Sequence, residues 1–264
     1  MELSNSVERV LQKIDNHLTQ PKKHPSHYIT VSTKTSSIQT IFSPPIIFPP
    51  GCSYEMACCS VETYYSFPNI DESNNKVKVS CDEGKNWTVL EIPKGCYEIK
   101  AINKTLKRLV KEKVVGGKED ALCLMPNKNT LQSILILKEK VQIDFRGVSG
   151  TLRTVLGFDE DLLKGIGRHE SEHIVNIMRV NSIIINCDVI QMSRMNGIAM
   201  PIIYDFFPNV SPGQKIVSRP RNLIYLPLTL NVISQLTVWV TDQNGSELDL
   251  RGEELTITFH IKAC

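Results

Sequence analysis

The chain has 264 residues, with 30 basic and 28 acidic side chains and a formal net charge of +2. At 41% hydrophobic and 22% charged residues, it can close a core without disulfides or metals, which excludes wholesale disorder and a collagen-like chain. The near-zero balance also excludes a protein whose whole surface coats nucleic acid.

Taken in order, the chain first offers an amphipathic helix over residues 4–18, where Val7, Val10, Leu11, Ile14 and Leu18 recur at helical spacing. Ser4 or Ser6 can cap it and Pro21 ends it. At about four turns such a helix is marginal alone, so its stripe needs a core or a partner. Residues 19–37 are polar and rich in Ser, Thr, Lys and His, the composition of a linker or arm. From Ile38 on, short β-branched and aromatic runs alternate with Pro, Gly and Asn turns. Strands are predicted over 38–42, 54–65, 76–80, 87–92, 122–125, 131–137, 141–145, 174–185, 202–207, 222–228, 236–241 and 255–261. Asp242-Gln243-Asn244-Gly245 is the clearest hairpin turn. In the last strand Leu255, Ile257, Phe259 and Ile261 alternate with Thr256, Thr258, His260 and Lys262, so one face is buried.

Two helices interrupt the strands. Ile99, Ile102, Leu106, Leu109 and Val110 share one helical face, and Gly116-Gly117 stops that helix. A shorter one, over 151–156, ends at Gly157. Many short strands without a βαβ rhythm point to an antiparallel sandwich or barrel, with the jelly roll as its expected form. No internal repeat suggests a propeller or a duplicated jelly roll. The expected organisation is an N-terminal helical arm with its polar linker over 1–37 and one sandwich domain over 38–264.

No apolar run approaches the ~20 residues of a membrane-spanning helix, so no membrane partner is expected. The first ten residues mix charged and apolar side chains, unlike a secretory leader. Cys52, Cys58, Cys59, Cys81, Cys96, Cys123, Cys187 and Cys264 are irregularly spaced and form no C-x-x-C. Neither a zinc ribbon nor a thioredoxin-type site is expected; the eight read as reduced thiols of an intracellular, non-secreted protein. The sequons at Asn86, Asn103, Asn209 and Asn244 are then chance matches.

One motif invites a catalytic reading. His169-Glu170-Ser171-Glu172-His173 is formally H-E-x-x-H, in which two His one helical turn apart bind zinc and the Glu activates water. Gly165 and Gly167 precede it, a strand pattern follows it, and no third ligand lies at zincin spacing. A solvated loop leading into a strand is the plainer reading. Lys100, Lys104, Lys107 and Lys111 stack into one positive stripe, flanked by Arg108, that could meet phosphates of packaged DNA or an acidic partner. Without a Gly-rich phosphate loop or an aromatic platform, an ordinary solvated helix face explains them as well. Cys58-Cys59 with a distant His is no supported nucleophile, and G-x-S-x-G, kinase and Walker patterns are absent. Trp87, Trp239, Tyr64, Tyr65, Phe206 and Phe207 read as core and interface aromatics. No catalytic, cofactor-binding or metal residue is therefore assigned, and no enzyme activity is expected.

Several segments together resemble a known family: 61–70 (VETYYSFPNI), 92–99 (IPKGCYEI), 152–158, 207–213 (FPNVSPG), 222–227 (NLIYLP), 241–245 and 250–253 (LRGE). In this order they are similar to the minor capsid, or penton, proteins of Maverick/Polinton elements and adintoviruses, over roughly 46–264. The resemblance implies a single jelly roll, mainly β, that forms homopentamers at the five-fold vertices of an icosahedral virion. A separate double-jelly-roll major capsid protein would surround it. It supplies no catalytic or ligand residue. The readings that compete with it are a zinc peptidase using His169, Glu170 and His173, and a monomeric intracellular binding module.

Overall fold

A computed structural model describes residues 26–264; the helix expected over 4–18 lies outside them. Eight strands form two antiparallel sheets. The first runs β1 (His27–Thr33), β18 (Leu255–Ala263), β3 (Tyr54–Tyr64), β15 (Lys215–Ser218), with the two-residue β16 (Leu226–Pro227) also on β3. The second runs β14 (Ile202–Phe206), β11 (Ile183–Cys187), β17 (Val232–Thr241), β2 (Ser37–Ile47). Their inner faces meet in one core: Ile29, Val31, Met56, Val61, Ile257 and Phe259 from the first sheet, Ile183, Ile185, Ile233, Leu236 and Val238 from the second. Along the chain the strands alternate between the sheets except at β11 and β14, which pair with each other, and at β15 and β16, which both pair with β3. This two-sheet, eight-strand winding is a jelly roll. The period-2 reading of the last strand holds: Leu255, Ile257, Phe259 and Ile261 are at most 2% exposed.

Between β3 and β11 the chain builds a second lobe. One of its sheets runs β5 (Thr88–Glu91), β4 (Lys76–Ser80), β8 (Gln142–Asp144), β9 (Leu162–Leu163); the other runs β10 (Gly167–Ile174), β7 (Gln132–Leu137), β6 (Leu122–Pro126). Helix α1 (Ile99–Lys113) buries Ile99, Ile102, Leu106, Leu109 and Val110 against them, as its spacing predicts. Lys111 and Lys113 occupy its last turn, where the helix dipole is negative. The short α2 (Arg153–Leu156) ends at Gly157 in the left-handed region, φ 78°. A Cβ there would sit 2.3 Å from the His173 carbonyl oxygen, so the turn demands glycine.

Among the described residues there are therefore two hydrophobic cores, where the pattern suggested one domain over 38–264. Two crossings join them, and Asn69 ties both: its Nδ2 donates to the carbonyls of Tyr97 (2.7 Å) and Ile177 (2.9 Å), and its Oδ1 accepts from Tyr97 N–H (2.8 Å). Arg179 pairs with Asp71 across the same junction.

Other expectations need correction. Residues 27–33 are not linker but strand β1, with Ile29 and Val31 in the core. Their neighbours Thr30 and Ser32 face outward and meet Thr258 (3.3 Å) and Thr256 (2.9 Å), so a hydroxyl-rich outer face gives the segment its polar look. The run predicted as one strand over 174–185 is the end of β10, a crossing, and the start of β11. Val175 and Ile177 pack on the lobe core while Val180 enters the sandwich core, so these apolar residues serve two cores without a ladder. Over 222–228 the pairing is confined to β16 and a single bridge from Leu228 to Ile190. The Asp242–Gly245 hairpin turn forms as expected, with Asp242 N–H reaching Ser246 O (2.8 Å) and Thr241 bridging Glu247 antiparallel, and it folds the chain back on the end of β17. Strands β9, β12 (Ser193–Met195), β13 (Ile198–Met200) and β15 are too short to show a period.

Asp144 is the most deeply held carboxylate of the lobe. It accepts from Lys78 Nζ (3.0 Å) and from Arg146 Nε and backbone N–H (both 2.9 Å). Burial pushes its carboxyl up, but the Arg146 and Lys78 donors outweigh it and hold the group at about 2, below the ordinary 3.8. An unfolded chain then binds more protons than the native one between those values. The contribution, about 2 kcal/mol, is complete above pH ~4 and lost as pH falls through about 2. Asp144→Asn is expected to lower stability by about that amount at pH 7. In urea titrations its deficit against the parent should shrink steadily below pH 4; an equal deficit at pH 7 and pH 2.5 would contradict the assignment.

Candidate functional site

The H-E-x-x-H residues sit on β10, in a strand. Four positions along a strand span roughly 13 Å, against about 6 Å per helical turn, so His169 and His173 cannot share an ion as zincin ligands do. They face separate partners: His169 Nε2 lies 3.1 Å from Gly165 O, and His173 Nε2 lies 2.7 Å from Asp159 Oδ2. Glu170 accepts from Asn127 (2.6 Å) and Arg168 (2.9 Å), and these donors lower its carboxyl from the usual range. That carboxylate is anchored to amide and guanidinium, the opposite of a water-activating base. Among the described residues no group of three or more His, Cys, Asp or Glu is placed to hold a metal ion.

The lysine stripe forms as its spacing predicts. Lys100, Lys104 and Lys111 are exposed on α1 and Lys107 is half-buried. Lys111 pairs with Glu119 (3.4 Å) and the flanking Arg108 with Glu112 (2.8 Å), which leaves a shorter positive face than the sequence suggests. No disulfide joins Cys58, Cys59, Cys81, Cys96, Cys123, Cys187 or Cys264. Burial, with Cys59 beside it, pushes the Cys58 thiol up to about 12, so it is protonated and inert at neutral pH. Among the described residues no helix is long and apolar enough to cross a membrane.

What remains is surface. The edge strand β14, the β12–β13 hairpin and residues 220–226 enclose an open cavity of about 510 Å³. Ile184, Met195, Ile203, Ile224 and Leu226 line it with Arg194 and Asp205. Tyr204 Oη and Ser218 Oγ, 2.8 Å apart, close the two sheets beside it. Ser182, Ser193 and Asn222 add polar groups to this lining. Around this flank Phe207 (73% exposed), Ile224 (71%) and Ile198 (67%) project into solvent. Of the aromatics read as core or interface, Phe206 is buried, Tyr65 packs on Phe67, Trp87 carries Lys78 5.8 Å from its ring centre, and Phe207 and Tyr64 stay exposed. On the opposite flank β2 is the sheet edge. Its Pro44 and Pro45 offer no N–H to a further strand, so this edge resists growth by strand addition. The exposed isoleucines carry no sequence signal beyond ordinary strand alternation, and only the sheet order shows which of them share a flank.

No family model matches the chain, and no curated protein matches it. Among solved structures it is similar to the mavirus penton protein, at TM-score 0.49 and 13% identity, over 91% of this chain and 100% of that one. A structure of the Sputnik virophage aligns at TM-score 0.41 and 14% identity, over 92% and 98%. The flagellar cap protein FliD of Escherichia coli aligns at TM-score 0.19 and 11% identity, over 82% and 55%.

Proposed function

We propose that this chain is a structural component of a viral capsid: a penton-like minor capsid protein that assembles as a homopentamer at the five-fold vertices of an icosahedral virion, beside a double-jelly-roll major capsid protein. The observation that carries the proposal is the jelly roll of two facing antiparallel sheets with exposed apolar side chains on its flanks. The segments quoted from its sequence resemble those of penton proteins of the Maverick/Polinton and adintovirus type, which supports the same reading. A ring requires two different flanks that meet head to tail and close. The cavity flank, with Phe207 and Ile224, is the apolar surface suited to one side of that contact.

The test is mass in solution over a range of salt and crowding. A five-subunit species is expected, and Phe207→Asp with Ile224→Asp should abolish it with no change in melting temperature. A protein that stays monomeric throughout, alone and with a double-jelly-roll capsid partner, would refute the assignment.

A further inference from the structure

Residues 219–225 join β15 to β16 and belong to no strand. Both flanking strands lie on β3, with Ser218 opposite Val61 and Leu226 opposite Met56. The segment therefore spans a stretch of β3, residues 57–60, where that side of the strand has no ladder. Pro220, Asn222, Ile224 and Leu226 also form one wall of the cavity.

Tyr225 fastens this segment to the outer face of the first sheet. Its hydroxyl lies 2.7 Å from His260 Nδ1. The ring of Tyr28, which pairs with His260 across β1 and β18, stacks on the imidazole with centroids 4.6 Å apart. Lys262 Nζ sits 3.8 Å from the centre of the Tyr225 ring, a cation–π contact.

His260 accepts from the Tyr225 hydroxyl only while Nδ1 carries no proton. A proton there turns the acceptor into a donor, and the hydroxyl must direct its own proton to water. The new charge also faces the Lys262 ammonium on the Tyr225 ring. Among the described residues, the titratable and charged groups around the pair are Tyr28 on β1, Lys262 on β18, and Glu55 and Cys59 on β3. Glu55 stands opposite Lys262 in the ladder, and burial pushes the Cys59 thiol up, so it is uncharged at neutral pH. Burial first, then Lys262, hold His260 below its ordinary 6.5, so the clasped ring is neutral at pH 7.

We propose that Tyr225 and His260 form an acid-released clasp, in which protonation of His260 frees residues 219–225 from the sheet and opens the cavity wall. Release returns the imidazole to water and to its ordinary proton affinity, so acid favours the open form. The clasp is complete above pH ~6.5 and is lost as pH falls through the lower value of the closed form. It lies within one chain and does not depend on the capsid assignment.

Hydrogen exchange of the full chain, corrected for the intrinsic effect of pH, tests this at the Leu228 N–H. That group follows the segment and donates to Tyr54 O (2.8 Å). Exchange in the parent is expected to be about threefold or more faster at pH 5 than at pH 7.5. Tyr225→Phe should exchange fast at both. His260→Gln, whose side-chain carbonyl can still accept from the hydroxyl but takes up no proton, should exchange slowly at both. Equal exchange in the parent at the two pH values would overturn the proposal, as would slow exchange in Tyr225→Phe at pH 7.5. So would an undiminished pH dependence in His260→Gln, since another group would then govern the release.

Discussion

A chain that begins at Ile38 is expected not to fold, whereas one that begins at Ser26 is expected to fold like the full chain. Removing β1 strips Ile29 and Val31 from the core, where they are 6% and 4% exposed. Their burial contributes about 3–6 kcal/mol together, against a total stability of about 5–15 kcal/mol for a typical domain. The seven-residue ladder to β18, from His27–Ile261 to Thr33–Leu255, is lost as well. Strand β18 would then become a long open edge with a fully apolar inner face, the kind that pairs with other chains. Soluble yield and circular dichroism of the two shortened proteins decide the matter. A monomeric, cooperatively melting protein that starts at Ile38 would show that β1 is dispensable.

The second large effect concerns the two cores. Phe259 is 0% exposed in the sandwich core and Leu135 is 1% exposed in the lobe core. Phe259→Ala is expected to cost about 3–5 kcal/mol and Leu135→Ala about 2–5 kcal/mol, through lost transfer energy and the cavities left behind. The buried clusters share no residue, and the lobe is tied to the sandwich by the crossings held by Asn69 and the Arg179–Asp71 pair and by the Lys94–Asp249 ion pair (2.6 Å). The effects should therefore separate. Hydrogen exchange should lose protection in β7 with Leu135→Ala and keep it with Phe259→Ala, while β3 and β18 respond the other way. Identical protection losses in both variants would mean that lobe and sandwich open as one unit.

Much of the architecture was legible before any tertiary information. The alternation in 255–261, the helical stripe from Ile99 to Val110 and the Gly157 stop each encode a local geometry with a buried side. The candidate chemistry was legible mainly by elimination, since Gly165, Gly167 and the following Ile174-Val175 already argued that His169 and His173 lie off a helix. Strand β1 escaped because two buried residues among Ser and Thr make too weak a period, and its outer hydroxyls acquire their purpose only opposite Thr256 and Thr258.

By itself, then, the sequence determined the strand-rich class, the long helix and the side of each element that is buried, because periods of 2 and 3.6 are local properties of the backbone. Only the tertiary structure decided that residues 70–177 own a separate core and that β1 closes the first sheet. Those facts depend on which distant strands become neighbours, and pairing across some two hundred residues leaves no period in the chain to read.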